Sequence, residues 1–186
     1  MSGTGSAGST GSDGGSGRTG STGGVPERIV VMGVSGAGKS LIGAELAARL
    51  GYRFEDADDL HPLANVTKMR SGVPLTDVDR GPWLDAVATA LAAAEGGIVM
   101  ACSALRVAYR DRIRAGVPEV FFVELQGSEE LLHERMAARA GHFMPVALLR
   151  SQLATLESLG PDERGAIVPI DGPPEVVLDR TLAALG

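Results

Sequence analysis

A single α/β domain, layered helix–sheet–helix around a five-stranded parallel sheet, is predicted by three observations. Short apolar runs recur five times, at residues 29–32, 52–55, 98–101, 120–125 and 166–170. Helical or loop sequence separates each run from the next, the alternation that produces parallel strands with helices on both faces. The first run opens directly into Gly33-Val34-Ser35-Gly36-Ala37-Gly38-Lys39-Ser40, a complete G-x-x-x-x-G-K-[ST] phosphate-binding loop.

Residues 1–24 are almost entirely Gly, Ser, Thr and Ala. They cannot bury enough surface to offset chain entropy, so a disordered tail is expected, followed by one domain over 25–186. In that domain the run 29–32 reads as a buried strand. The stretch 41–50, apolar at 42, 46 and 50, reads as the helix leaving the loop. After the second run comes Asp56-Ala57-Asp58-Asp59-Leu60-His61. The polar, turn-rich stretch 58–84 then reads as a substrate-binding insertion, and Trp83 as a residue packing a helix onto the sheet. Further helices are expected at 83–94, 105–114, 129–140, 147–156 and 174–185. The stretch at about 135–150, with Gly141-His142-Phe143-Met144-Pro145, is read as a helical, mobile lid.

Composition narrows the function classes. The net charge of −6 argues against general binding to nucleic acid or to anionic membranes. No apolar run approaches the ~20 residues of a membrane span, and the lone Cys102 allows no intramolecular disulfide, so a reducing cytoplasm is expected. Only two lysines occur against fifteen arginines. Where lysine persists in so arginine-rich a chain, a compact ammonium is needed, which marks Lys39 and Lys68.

In such sheets the ligand lies beyond the carboxyl ends of the strands, where the phosphate loop, the Asp56 segment and Cys102-Ser103-Arg106 should converge. In the loop, inward-turned amides of Gly33, Ser35, Gly36, Ala37, Gly38, Lys39, Ser40 and Leu41 would cradle ATP, with Lys39 on the β/γ-phosphates and the Ser40 hydroxyl on Mg²⁺. Asp56 and Asp58 are two apart. If the strand continues through them, their carboxylates share a face, one serving Mg²⁺ and the other orienting or deprotonating an attacking hydroxyl. Arg106, Arg110 and Arg114 recur every four residues, a stripe expected to be mostly solvated, with Arg106 nearest the crevice. Arg135 and Arg139 are read as lid arginines that neutralise the transferring phosphoryl group. Cys102 is read as a small buried residue.

Four blocks carry a family resemblance: GVSGAGKS at 33–40, DADDLHP with NVTKMRSGVPLTDVDRGPWL over 56–84, ACSALRVAYRDRIR at 101–114 and ARAGHFMP at 138–145. Over residues 27–186 the chain resembles the gluconokinases of the shikimate-kinase-like group. The resemblance implies a P-loop NTP hydrolase fold of nucleoside-monophosphate-kinase type. It also implies transfer of the ATP γ-phosphoryl to the terminal hydroxyl of D-gluconate. Asp58 would be the hydroxyl-orienting residue or base, and His61, Lys68, Arg80, Ser103 and Arg106 would surround the polyol acid. A homodimer is common in such proteins. Two departures stand out: Ala37 where serine is common, and Ala140 where a basic residue often precedes the Gly-His-Phe. The competing readings are a kinase of another small hydroxy acid, such as shikimate, and a non-catalytic nucleotide-binding regulatory module.

Overall fold

The computed structural model describes Met1, residues 24–138 and residues 146–186. The tail, Arg139 and the Gly-His-Phe-Met-Pro stretch therefore lie outside the described residues. The five expected strands form one parallel sheet: β1 Arg28–Met32, β2 Arg53–Asp56, β3 Ile98–Ala101, β4 Phe121–Gln126 and β5 Gly165–Pro169, in the order β2-β3-β1-β4-β5. In register, Ile29 lies beside Val99 on one side and Phe121 on the other.

β1 is central and buried on both faces, as strands of an all-parallel sheet must be. Its side chains alternate between two cores. Ile29 and Val31 pack with Ile42, Leu46, Leu149 and Leu178. Val30 and Met32 pack with Trp83, Val87, Leu91 and Ile113 on the opposite face. The first core holds α1 (Lys39–Leu50), α5 (Glu129–Ala137), α6 (Val146–Thr155) and α7 (Pro174–Ala184); the second holds α3 (Asp77–Ala93) and α4 (Val107–Gly116). The three layers are thus helix, sheet, helix.

The insertion is more helical than expected. Residues Leu63–Arg70 form α2, and α3 begins at Asp77, six residues before the expected start. α3 starts there because Thr76 and Asp79 form a reciprocal capping box, each side chain meeting the other residue's backbone N–H.

The arginine stripe is corrected at Arg110. Its side chain is fully buried rather than solvated, and its guanidinium forks onto Glu163 through two bonds of 2.7 Å. Its Nη1 donates to the carbonyls of Ala104 and Glu157. Arg114 reaches the same carboxylate at 2.6 Å, while Arg112 points elsewhere, to Asp85. The Arg110 bonds hold the Glu163 carboxyl down from 4.5 to about 2. A depressed carboxyl adds stability at pH above its unfolded value, and that stability drains as pH falls from about 4.5 through about 2. Glu163→Gln should cost about 2 kcal/mol at neutral pH, the scale of a lost charged hydrogen bond, and flatten this acid slope. Urea unfolding at pH 7 and pH 3 measures both, and identical slopes for both proteins would disprove the assignment.

Candidate active site

β1 delivers the chain into a loop whose shape only glycine tolerates at its turns. Gly33 has φ 140°, and a Cβ there would lie 2.8 Å from the Leu125 carbonyl oxygen. Gly38, at φ 95°, starts α1 in the left-handed region. Gly36 is pressed by Met136 and the Leu132 carbonyl, so α5 backs the loop. Ala37 is fully buried, its methyl 3.4 Å from the Cβ position of Gly33; this crowding accommodates alanine at the site of the sequence departure.

Lys39 and Ser40 form the first turn of α1, whose N-terminal amides and dipole favour an anion. Lys39 Nζ donates to the Val34 carbonyl at 3.2 Å, across its own loop. Leu41 is half exposed. Ser35 N–H is taken by Gln152 Oε1 at 2.7 Å. The Arg135 guanidinium lies 3.9 Å from the Cβ position of Gly38 and is anchored by the carbonyls of Ile170 and Gly172. Of the two arginines read as lid residues, Arg135 thus sits beside the phosphate loop, and Arg139 is outside the described residues.

The second strand ends at Asp56, so the expected strand face shared by Asp56 and Asp58 does not form. Residues Ala57–Leu60 are a 3₁₀ turn capped by Asp56, whose Oδ1 accepts the Asp58 N–H at 3.1 Å. This short capping turn keeps the carboxylates adjacent by another route. Asp56 Oδ2 accepts the Ser40 hydroxyl at 2.7 Å, which joins the second strand end to the phosphate loop. Partial burial raises the Asp58 carboxyl pKa; Asp56 raises it further, while Lys39 and His61 oppose the shift. Ser40 and Asp56 offer adjacent hard oxygens. That donor set fits a hard divalent cation that keeps water and phosphate oxygens, and no group of three ligating side chains occurs among the described residues.

His61 stacks on Trp83, with ring centroids 4.3 Å apart, and contacts Asn65 through Nδ1 at 3.4 Å. Trp83 is buried, as expected, and its Nε1 donates to the Ala57 carbonyl, so the helix residue also props the Asp58 turn. Burial lowers the His61 pKa, which leaves a neutral imidazole at pH 7. Lys68 pairs with Asp79 at 2.5 Å, on the same carboxylate that caps α3. Asn65 Nδ2 ties the Asp79 carbonyl to this cluster.

At the end of β3, Ser103 accepts the Gly33 N–H through its carbonyl at 3.4 Å. Ala104 follows with φ 40°, a left-handed conformation held by Arg110 on its carbonyl. Arg106 precedes α4 and pairs with Asp77 at 2.8 Å. Tyr109 donates its hydroxyl to the same Asp77 at 2.5 Å, and Arg80 and Arg106 flank its ring at 5.7 Å each. Tyr109 was not anticipated from sequence, although it lies three residues after Arg106 on one helical face; Asp77 was read only as part of the substrate-binding insertion. Gln152 had no sequence signal, because its partner is 117 residues away. Cys102 is buried, and burial pushes its thiol to about 12, so it offers no thiolate.

The chain matches the AAA domain family over residues 29–159. It is 50% identical over 149 residues to the thermosensitive gluconokinase of Escherichia coli (strain K12), covering 78% of this chain and 79% of that protein. It is 46% identical over 161 residues to the gluconokinase of Gluconobacter oxydans (strain 621H), covering 84% and 90%. Its fold superposes on the crystal structure of a gluconokinase from Sinorhizobium meliloti 1021 with TM-score 0.81 and 48% identity, over 87% of this chain and 92% of that one.

Proposed function

The chain belongs to the gluconokinase family, and from that premise we infer that it uses ATP to phosphorylate gluconate. The observation that carries the reading is the hydrogen bond from Ser40 to Asp56, which sets the phosphate loop against the aspartate pair on one side of a single crevice.

The proposed division of labour follows from position. The loop amides other than that of Ser35, which Gln152 occupies, act with Lys39 to hold the triphosphate and take up charge as the γ-phosphoryl group loosens from ADP. Arg135, next to Gly38, adds a second cation there. Ser40 and Asp56 would hold Mg²⁺, which supplies charge neutralisation across the phosphate oxygens when bound. Asp58, one turn further on, orients the terminal hydroxyl of gluconate and accepts its proton as the new P–O bond forms. His61, fixed on Trp83, stands on the polyol side of this carboxylate and is neutral, so it can exchange hydrogen bonds with hydroxyls. For the acid end, Arg106 and Arg80 flank Tyr109, a set suited to a carboxylate. Lys68, already shared with the Asp79 cap, is proposed as a contact on the same side, as is Ser103. Arg139 is proposed from its spacing to Arg135 and the family resemblance, the homodimer from the resemblance alone, and a cytoplasmic setting from the composition of a one-domain enzyme with an N-terminal tail. No helix among the described residues is long and apolar enough to cross a membrane.

ADP release by the purified protein with Mg·ATP, measured against gluconate, shikimate, glycerate and no acceptor, tests the reading. Turnover on gluconate alone, with a singly phosphorylated product by mass, is expected. Turnover on another acid would overturn the acceptor, and equal ADP release without any acceptor would overturn the kinase.

A further inference from the structure

One side chain holds the phosphate loop from outside. Gln152 lies in α6, which is seated in the core by the fully buried Leu149, and its Oε1 accepts the Ser35 N–H at 2.7 Å. Five residues on, the same segment grips the turn that carries Arg106. Glu157 N–H donates to the Leu105 carbonyl at 2.8 Å, and Val107 N–H donates to Glu157 Oε2 at 2.6 Å. Buried Arg110 fixes this end by donating to the Glu157 carbonyl at 2.9 Å. Residues 152–157 therefore bridge the nucleotide loop and the Arg106 turn, the two places whose separation decides whether donor and acceptor meet in line.

The chemistry of the group matters as much as its place. A carboxamide accepts through oxygen and donates through nitrogen without net charge. Here its oxygen is used on Ser35, and no acceptor engages Nε2 among the described residues. A carboxylate would accept the Ser35 N–H equally well but would set a negative charge beside a triphosphate.

We propose that Gln152 is a positioning residue of the phosphoryl-transfer step: it fixes the Val34–Ser35 peptide, sets the nucleotide loop in register with the Arg106 turn, and lends its Nε2 hydrogens to the terminal phosphate. The proposal rests on the kinase reading above. Its test compares the full chain with Gln152→Glu and Gln152→Met, by equilibrium titration with Mg·ATP and Mg·ADP, steady-state turnover on gluconate and thermal unfolding. Gln152→Glu should leave ADP affinity within about twofold and weaken ATP about tenfold, because the added charge meets only the terminal phosphate. Gln152→Met should lower kcat about tenfold, with a smaller change in the KM for ATP and an unchanged unfolding midpoint. Equal losses of ATP and ADP affinity in Gln152→Glu, or a kcat loss that tracks a lowered midpoint, would make the residue structural only and overturn the proposal. Unchanged constants would overturn it as well. Should Gln152→Met not fold, the ATP-against-ADP comparison in Gln152→Glu decides alone. The titrations need no acceptor, so an unmodified protein inactive on gluconate would refute the acceptor reading and leave the Gln152 result standing.

Discussion

Lys39→Ala should lower turnover on gluconate by about 10²–10³-fold, a loss of about 2.7–4 kcal/mol of transition-state stabilisation. Lys39 is the first residue of α1 and spans its own loop to the Val34 carbonyl, so its ammonium is already drawn across the cradle the phosphates would occupy. Charge on the γ-phosphoryl oxygens grows as the bond to ADP lengthens, and a cation fixed at that place stabilises the transition state more than bound ATP. The effect should therefore fall mainly on kcat, with a smaller rise in the KM for ATP. The side chain lies at the crevice rather than in either core, so the unfolding midpoint should stay near that of the unmodified protein. Lys39→Arg is expected to rescue little, because a broad guanidinium does not fit between phosphate oxygens in a loop this closely backed by Met136. Near-normal turnover in Lys39→Ala would remove the residue from the mechanism.

The strands and the phosphate loop were readable from sequence because their signals are local. A strand buried on both faces is a continuous apolar run, and Ile29 to Met32 or Ile98 to Ala101 can hardly be anything else in front of polar segments. The loop is likewise a contiguous motif. What escaped depends on partners distant in sequence. Helix α2 buries only Asn65, so its eight residues show no apolar stripe. The earlier start of α3 had a local sign in Thr76 and Asp79, which spell a capping box three apart. Arg110 looked like a member of a solvated stripe because periodicity reports which residues share a face, never what that face meets. Glu163, 53 residues later, decides it. The Asp56 and Asp58 pairing was anticipated with the wrong geometry: side-chain capping by Asp56 ends the strand and begins the turn, which a strand-period argument cannot see.

That turn makes Asp58 the second residue on which turnover should depend steeply. Asp58→Asn keeps the shape of the side chain and removes its ability to take a proton, so kcat should fall by about 10²–10⁴-fold while ATP affinity stays near normal. The pH profile gives an independent reading. The working form is the carboxylate, and partial burial together with the neighbouring Asp56 raises its pKa above 3.8. A raised acid pKa means that the proton is regained at higher pH, so the acid limb of kcat/KM should have its midpoint above that of an ordinary aspartate. Lys39, and His61 where it is protonated, oppose this rise. In Asp58→Asn this limb should vanish from the residual activity. If ATP affinity is lost with kcat unchanged, Asp58 belongs to the nucleotide and its metal rather than to the hydroxyl. If kcat falls but the acid limb persists unaltered, another group takes the proton, and Asp58 only orients the acceptor.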